Sequence, residues 1–302
     1  MSLLKKLDEM KNRIKGKITF NENLSKFSWF NIGGPAKIVY RPANIKELSF
    51  FLKEVKINEG IKVLGLGSNI LIRDGGYNGI IIKLGKTFSH ISMFSENILV
   101  SGVAALDKQV SNFALNHSLS GFEFLLCIPG TIGGAIRMNS GCYGEDISKI
   151  LLSVQAMDLN GNIKVIPYSK IKFHYRGSDL DNDLIFISAT LKGSTCDRNE
   201  IKRKMKIFFD KKIKSQPLKI KTCGSTFKNS ENKKAWKLIK ESGCDGMKVG
   251  DAQISDKHCN FFVNKGNANS KDLEELISKV KKNVFNQTGI NLELELQIIG
   301  EK

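Results

Sequence analysis

The chain has 302 residues, is 41% hydrophobic and carries a formal net charge of +17. That length supports a large core and two or three domains. With no run of about 18 apolar residues and no apolar leader, it reads as neither a membrane-inserted nor a secreted chain. Six cysteines form no CxxC pair, and no histidine stands at metal-ligand spacing. The pattern points away from a disulfide framework or a metal site and toward reduced thiols in a cytoplasmic protein.

In chain order, an amphipathic, lysine-rich helix is expected over residues 2–16. A second helix is expected over 44–60, where apolar residues recur at helical spacing. Short β-branched runs at 63–67 and 80–84, bounded by glycine, predict strands, as does 97–106. A helix over 106–121 ends at glycine. Strands follow at LLSVQAMDL, NIKVIPY and LIFISATL, the first two joined by Asn160-Gly161, a hairpin turn signal. From residue 199 a lysine-rich helix runs to Gln216-Pro217, where proline must end it. Helices around KAWKLIKESG and SKDLEELISKVKKNVFNQTG and a terminal strand LELELQIIG complete the chain. This alternation is α+β, with a domain over 1–196 and a smaller one over 197–302.

The charge suits nucleic acid, an anionic membrane face or a polyanionic small molecule. Its carriers are lysines interleaved with acids, as in ENKKAWKLIKES, with no arginine-rich or aromatic-interleaved stripe. A solvated basic surface is therefore the reading, rather than a nucleic-acid footprint.

Two glycine-rich segments stand out: Gly65-Leu66-Gly67-Ser68-Asn69, directly after a strand, and Pro129-Gly130-Thr131-Ile132-Gly133-Gly134-Ala135. Glycine lets backbone N–H groups converge closely on phosphate oxygens. Neither segment is a GxGxxG opening a Rossmann helix, and no GxxxxGK[ST] occurs. Taken singly, each is more often a tight turn.

Read in order, however, IGGPA near the start, GLGSN followed by DGG, GFEF leading into IPGTIGGAIRMNSGCYG, then YRGS, GSTFKN and finally LELE closely resemble the UDP-N-acetylenolpyruvoylglucosamine reductase family. The resemblance runs from about residue 20 to residue 300. It implies an FAD-binding domain of the vanillyl-alcohol-oxidase or p-cresol-methylhydroxylase type, built from two α+β subdomains, plus a C-terminal substrate domain. It also implies NADPH as reductant, a UDP-sugar as substrate, no nucleic-acid partner, and a monomer.

On the same resemblance, Gly65, Gly67, Ser68, Asn69, Pro129, Gly130, Thr131, Gly133, Gly134, Ala135, Asn139 and Gly141 line the cofactor. Tyr175, Lys228 and Asn229 contact substrate, with Lys257 and His258 as further candidates. Arg176 matches the catalytic arginine, whose permanently charged fork suits the carboxylate on which enolate charge builds. Ser225 matches the proton donor. Glu295 matches a second stabiliser, which has to act protonated beside that charge; Glu293 lies one alternation away on the same strand face.

Cys127 stands where many members carry glycine, Ser230 where proline is common, and the chain is of the short form. Another FAD-dependent oxidase or dehydrogenase of the same fold, and a basic nucleic-acid-binding protein, are the alternative readings.

Overall fold

Capping and close approach set the element boundaries in the computed structural model, which describes residues 3–56, 60–230 and 233–302. Its helices are α1 (Leu3–Lys11), α2 (Ile45–Val55), α3 (Asp107–Asn116), α4 (Ile132–Met138), α5 (Arg198–Ser215), α6 (Ala235–Glu241) and α7 (Ser270–Thr288). α1 stops short of residue 16 because Lys15 and Gly16 give their N–H groups to the Glu47 carboxylate. Ser2 and residues 57–59, at the edges of the first two expected helices, lie outside the described residues. α5 ends before Gln216-Pro217, as proline requires. At the start of α7, Asn269 and Asp272 cap each other's backbone, and Gly289 ends the helix in the left-handed region.

The chain divides into two units. Unit 1 comprises Met1–Phe20, Ile38–Leu66 and Gly79–Lys211, and unit 2 comprises Asn21–Lys37, Gly67–Asn78 and Lys212–Lys302. Unit 1 holds an antiparallel sheet ordered Ile163–Pro167, Leu151–Met157, Ile185–Lys192, Ile98–Gly102, Ile91–Ser95. The Asn160-Gly161 signal does join its first two strands, with Met157 opposite Ile163. Gly161 adopts φ 75°, and a Cβ there would lie 2.6 Å from the Ser49 carbonyl oxygen, so the turn fits against α2 only as glycine.

Leu99, Val154 and Leu191 of the sheet bury with Val110 and Ala114 of α3. A further core gathers Tyr40, Leu48, Phe51, Ile80 and Ile82, where the Tyr40 and Phe51 rings stack at 3.9 Å. Its strands run in the order Lys17–Asn23, Pro35–Arg41, Tyr77–Ile82, Ile61–Val63, the last two parallel.

In unit 2 the antiparallel strands Ala252–Ser255 and His258–Asn264 carry α6 and α7. Leu238, Phe262, Leu276 and Val280 form the core between them. The expected terminal strand over 292–300 splits. Gln297–Ile299 pairs in parallel with Ile70–Ile72, while Leu294 bridges to Phe227 instead. The change of partner lies at Glu295, whose N–H goes to the Thr226 carbonyl. Among the described residues, no helix is long and apolar enough to cross a membrane.

Candidate active site

The IPGTIGGAIRMNSGCYG stretch is not one loop: its middle is α4. Thr131 starts that helix, its hydroxyl accepting from the Gly134 N–H at 3.4 Å, and Asn139 ends it in the left-handed region with φ 41°. The first helical N–H groups are already used, Ile132 giving to the Ala105 carbonyl and Gly133 to Val103. Gly133 sits against Val103 and Ala135 is buried in the core. Cys127 also packs into that core, behind the segment. The N–H groups of Gly130 and Thr131, by contrast, meet no acceptor among the described residues.

Within unit 1 the two glycine segments touch: an ideal Cβ on Gly65 would lie 3.0 Å from Thr131 Oγ1. The Lys83 ammonium reaches the Gly65 carbonyl at 2.5 Å. Converging N–H groups, a glycine at the point of closest approach and a nearby cation fit the diphosphate of a dinucleotide. Behind them lies Asp107, fully buried, with neither carboxyl oxygen hydrogen-bonded among the described residues. Burial pushes its pKa well above the usual carboxylate range.

Arg176 sits in a tight turn. His174 pairs with Gly177, leaving Tyr175 and Arg176 as the connection, and Arg176 takes φ 59°, a conformation that costs a non-glycine residue about 1–2 kcal/mol. Its guanidinium donates to the Gly141 carbonyl at 3.1 Å and lies 4.9 Å from the Tyr175 ring centroid. Asn139 braces the turn: its amide donates to the His174 carbonyl at 3.1 Å and accepts from the Ser148 N–H at 3.3 Å. Gly141 is needed for closeness, since a Cβ would fall 2.5 Å from the Asp146 Cβ. Arg137 of α4 spans the Leu180, Asp181 and Leu184 carbonyls at 2.8–2.9 Å, a structural duty that nothing in the sequence signalled.

The rest of the GLGSN segment belongs to unit 2. Gly67 has φ 75°, and its backbone runs so close to Phe27 that no side chain fits. The Asn69 amide donates to the Glu295 carbonyl at 3.0 Å, and the Asn69 carbonyl accepts from the Gln297 N–H at 3.1 Å. Ser68 is half-buried.

Ser225 bridges to Phe261, and Thr226 accepts from the Glu295 N–H at 2.9 Å, so the segments carrying Ser225 and Glu295 are side by side. Glu295 is half-buried, whereas Glu293 is mostly exposed and pairs with Lys228 at 3.5 Å. Asn229 turns inward, its side-chain amide oxygen accepting from the Ala235 N–H at the start of α6.

A cleft of about 590 Å³ lies in the same unit, lined by Trp236, Lys240, Asp245, Lys257 and His258 among others. The Trp236 and His258 rings are 6.4 Å apart. Burial lowers the His258 pKa, so the ring is neutral at neutral pH, with Nδ1 accepting from the Asn260 N–H. Asn260 ties this edge to the serine segment, exchanging bonds of 3.0 and 2.8 Å with the Phe227 backbone. Trp236 and Asp245 had no signal in the sequence beyond their residue types.

Residues 216–299 match the model of the UDP-N-acetylenolpyruvoylglucosamine reductase C-terminal domain, and residues 36–166 match an FAD binding domain. The UDP-N-acetylenolpyruvoylglucosamine reductase of Pelagibacter ubique is 48% identical over 299 residues, covering 98% of this chain and 99% of that one. The protein of the same name from Rickettsia prowazekii is 42% identical over 288 residues, covering 95% and 97%. The crystal structure of UDP-N-acetylenolpyruvylglucosamine reductase from Thermus caldophilus superposes with a TM-score of 0.83 at 31% identity, covering 95% of this chain and all of that one.

Proposed function

Since the chain belongs to the UDP-N-acetylenolpyruvoylglucosamine reductase family, and is an FAD-dependent oxidoreductase using NADPH in peptidoglycan synthesis, we propose that Arg176, Ser225 and Glu295 carry its chemistry. Bound FAD supplies hydride transfer, from NADPH to C3 of the enolpyruvyl double bond of the UDP-sugar. The chain's own residues then handle charge and proton. Arg176 offers two parallel N–H donors to the substrate carboxylate as enolate charge develops there. The left-handed turn and the Gly141 contact hold that fork in place before substrate arrives.

Ser225 Oγ gives the proton to C2, the position next to the carboxylate. A hydroxyl is a weak acid, so this role needs a strongly basic carbon and tight placement. Glu295, in its acid form, supports the same charge. The observation that carries the assignment is the pairing of their two segments, with the Glu295 N–H on the Thr226 carbonyl at 2.9 Å. The exposed Glu293, occupied with Lys228, is the weaker candidate.

FAD is held by the Gly65 and Gly130–Thr131 backbone, and the nucleotide end of the substrate by unit 2. Tyr175, Lys228 and Asn229 belong to substrate binding, Asn229 by holding the start of α6. The cleft beside Trp236, with Lys240 and Lys257 at its rim, suits a ring and its phosphates. The protein acts as a cytoplasmic monomer, with an FAD-binding domain over 1–196 and a substrate domain over 197–302. Its charge collects the anionic substrate rather than nucleic acid. The i,i+4 ion pairs Lys149–Glu145, Lys206–Asp210 and Lys279–Glu275 support that reading of an interleaved surface.

Anaerobic titration of the flavin tests the assignment. NADPH should bleach wild type and Ser225→Ala alike, and the enolpyruvyl sugar nucleotide should reoxidise only wild type. If Ser225→Ala reoxidised at the wild-type rate, or failed to bleach, the proton-donor role would be wrong.

A further inference from the structure

Behind the glycine segments of unit 1 stands a cation that no motif marks. Lys83 follows the strand Tyr77–Ile82, its own N–H held by the Tyr40 carbonyl at 2.9 Å. Its ammonium donates to the Gly65 carbonyl at 2.5 Å, and Gly65 is the residue that abuts Thr131. A trans peptide points its C=O and N–H in opposite directions. Drawing the Gly65 carbonyl toward Lys83 therefore turns the Leu66 N–H away from it. No acceptor among the described residues takes that N–H.

We propose that Lys83 is the positioning residue for the cofactor diphosphate, holding the Gly65–Leu66 peptide with its N–H presented to phosphate oxygens and supplying counter-charge to them. The proposal rests on the FAD reading above and adds to it a residue and a proton. Burial first, and then the charge of Arg41, bring the Lys83 pKa down to about 8. Arg41 is the charged group acting on it from the strand Pro35–Arg41; from the Gly65 side it meets an uncharged carbonyl. A diphosphate at the N–H end of that peptide, across it from Lys83, opposes both effects by favouring the ammonium form. Cofactor binding and proton uptake by Lys83 are then linked, and raising the pH weakens binding once free Lys83 loses its proton.

The test uses purified holoenzyme of wild type, Lys83→Arg and Lys83→Met. FAD affinity is read from recovery of flavin fluorescence on dilution, with no turnover, from about pH 6.5 to about pH 9.5. Wild type should bind evenly up to about pH 8 and then lose up to about tenfold in all, levelling off near the affinity of Lys83→Met. Lys83→Arg should bind well throughout with no such fall, because a guanidinium keeps its charge. Lys83→Met should be about tenfold weaker at the acid end and equally flat.

A flat wild-type profile, or a Lys83→Arg profile that falls with wild type, overturns the role of Lys83 and leaves the FAD reading standing. A wild-type chain with no bound flavin at any of these pH values overturns both. If Lys83→Met fails to fold, wild type against Lys83→Arg still decides.

Discussion

Gly65 and Thr131, drawn from two separate glycine motifs, stand against each other in unit 1, the ideal Cβ of one 3.0 Å from the hydroxyl of the other. That hydroxyl starts α4 by accepting from the Gly134 N–H. A methyl group at 65 therefore displaces a helix cap and narrows the approach to the backbone at once. Gly65→Ala should fold, lose about 1 kcal/mol of stability through the cap, and bind FAD about tenfold more weakly. Thermal melts and flavin fluorescence titration check the two effects; unchanged FAD affinity would mean that the segments do not form one cofactor wall.

Asn69 has a job that its motif does not suggest. Its amide donates to the Glu295 carbonyl at 3.0 Å, fixing the segment that carries a proposed catalytic acid. Asn69→Ala should slow reoxidation of reduced flavin by substrate about tenfold or more while NADPH reduction stays near normal. Asn69→Asp should be worse, because a carboxylate oxygen replaces the donor and faces a carbonyl. Stopped-flow measurement of the two half-reactions separates them, and equal loss in both would place Asn69 at the cofactor instead.

Much of this was legible in the sequence because it depended on local signals. Gln216-Pro217 stops α5, Asn160-Gly161 turns a hairpin, and the ordered motifs identify the family. What stayed hidden depended on partners distant in the chain. α4 was obscured by its own glycines, of which Gly133 lies tight against Val103. The terminal strand was expected whole, yet it changes partner at Glu295, from the Phe227 segment to Ile70–Ile72. Lys83 sat unnoticed at a strand end, since only the fold brings its ammonium to Gly65. Asn139 and Asn69 were read as cofactor contacts, and the structure engages both side chains with neighbouring backbone.

Asn139 separates backbone conformation from side-chain bracing. It occupies the left-handed region at φ 41°, and its amide holds both His174 and Ser148. Asn139→Gly keeps the conformation and loses the bonds; Asn139→Ala loses the bonds and adds strain. Asn139→Ala should therefore be less stable than Asn139→Gly by about 1 kcal/mol. Both should lower kcat about tenfold or more through a loosened Arg176 turn, with FAD still bound. A steady-state rate equal to wild type in Asn139→Gly would show that the turn needs no brace.

Asp107 makes stability depend on pH in the direction opposite to a salt-bridged acid. Its carboxyl is fully buried, unpartnered among the described residues, and 2.7 Å from where a Gly130 Cβ would be. Burial raises its pKa well above the ordinary 3.8, so between that value and the folded one the native state keeps a proton that the unfolded chain releases. The contribution is fully present below 3.8 and declines as pH rises, by up to about 1.4 kcal/mol per pH unit, until the folded value is passed. A carboxamide in its place is neutral at every pH, so Asp107→Asn should remove that slope, gaining on wild type as pH rises above the ordinary carboxylate range. The difference between the two denaturation curves isolates this group from the other carboxylates. Parallel curves would mean that the Asp107 carboxyl ionises in the folded protein as readily as in the unfolded chain, which its burial forbids.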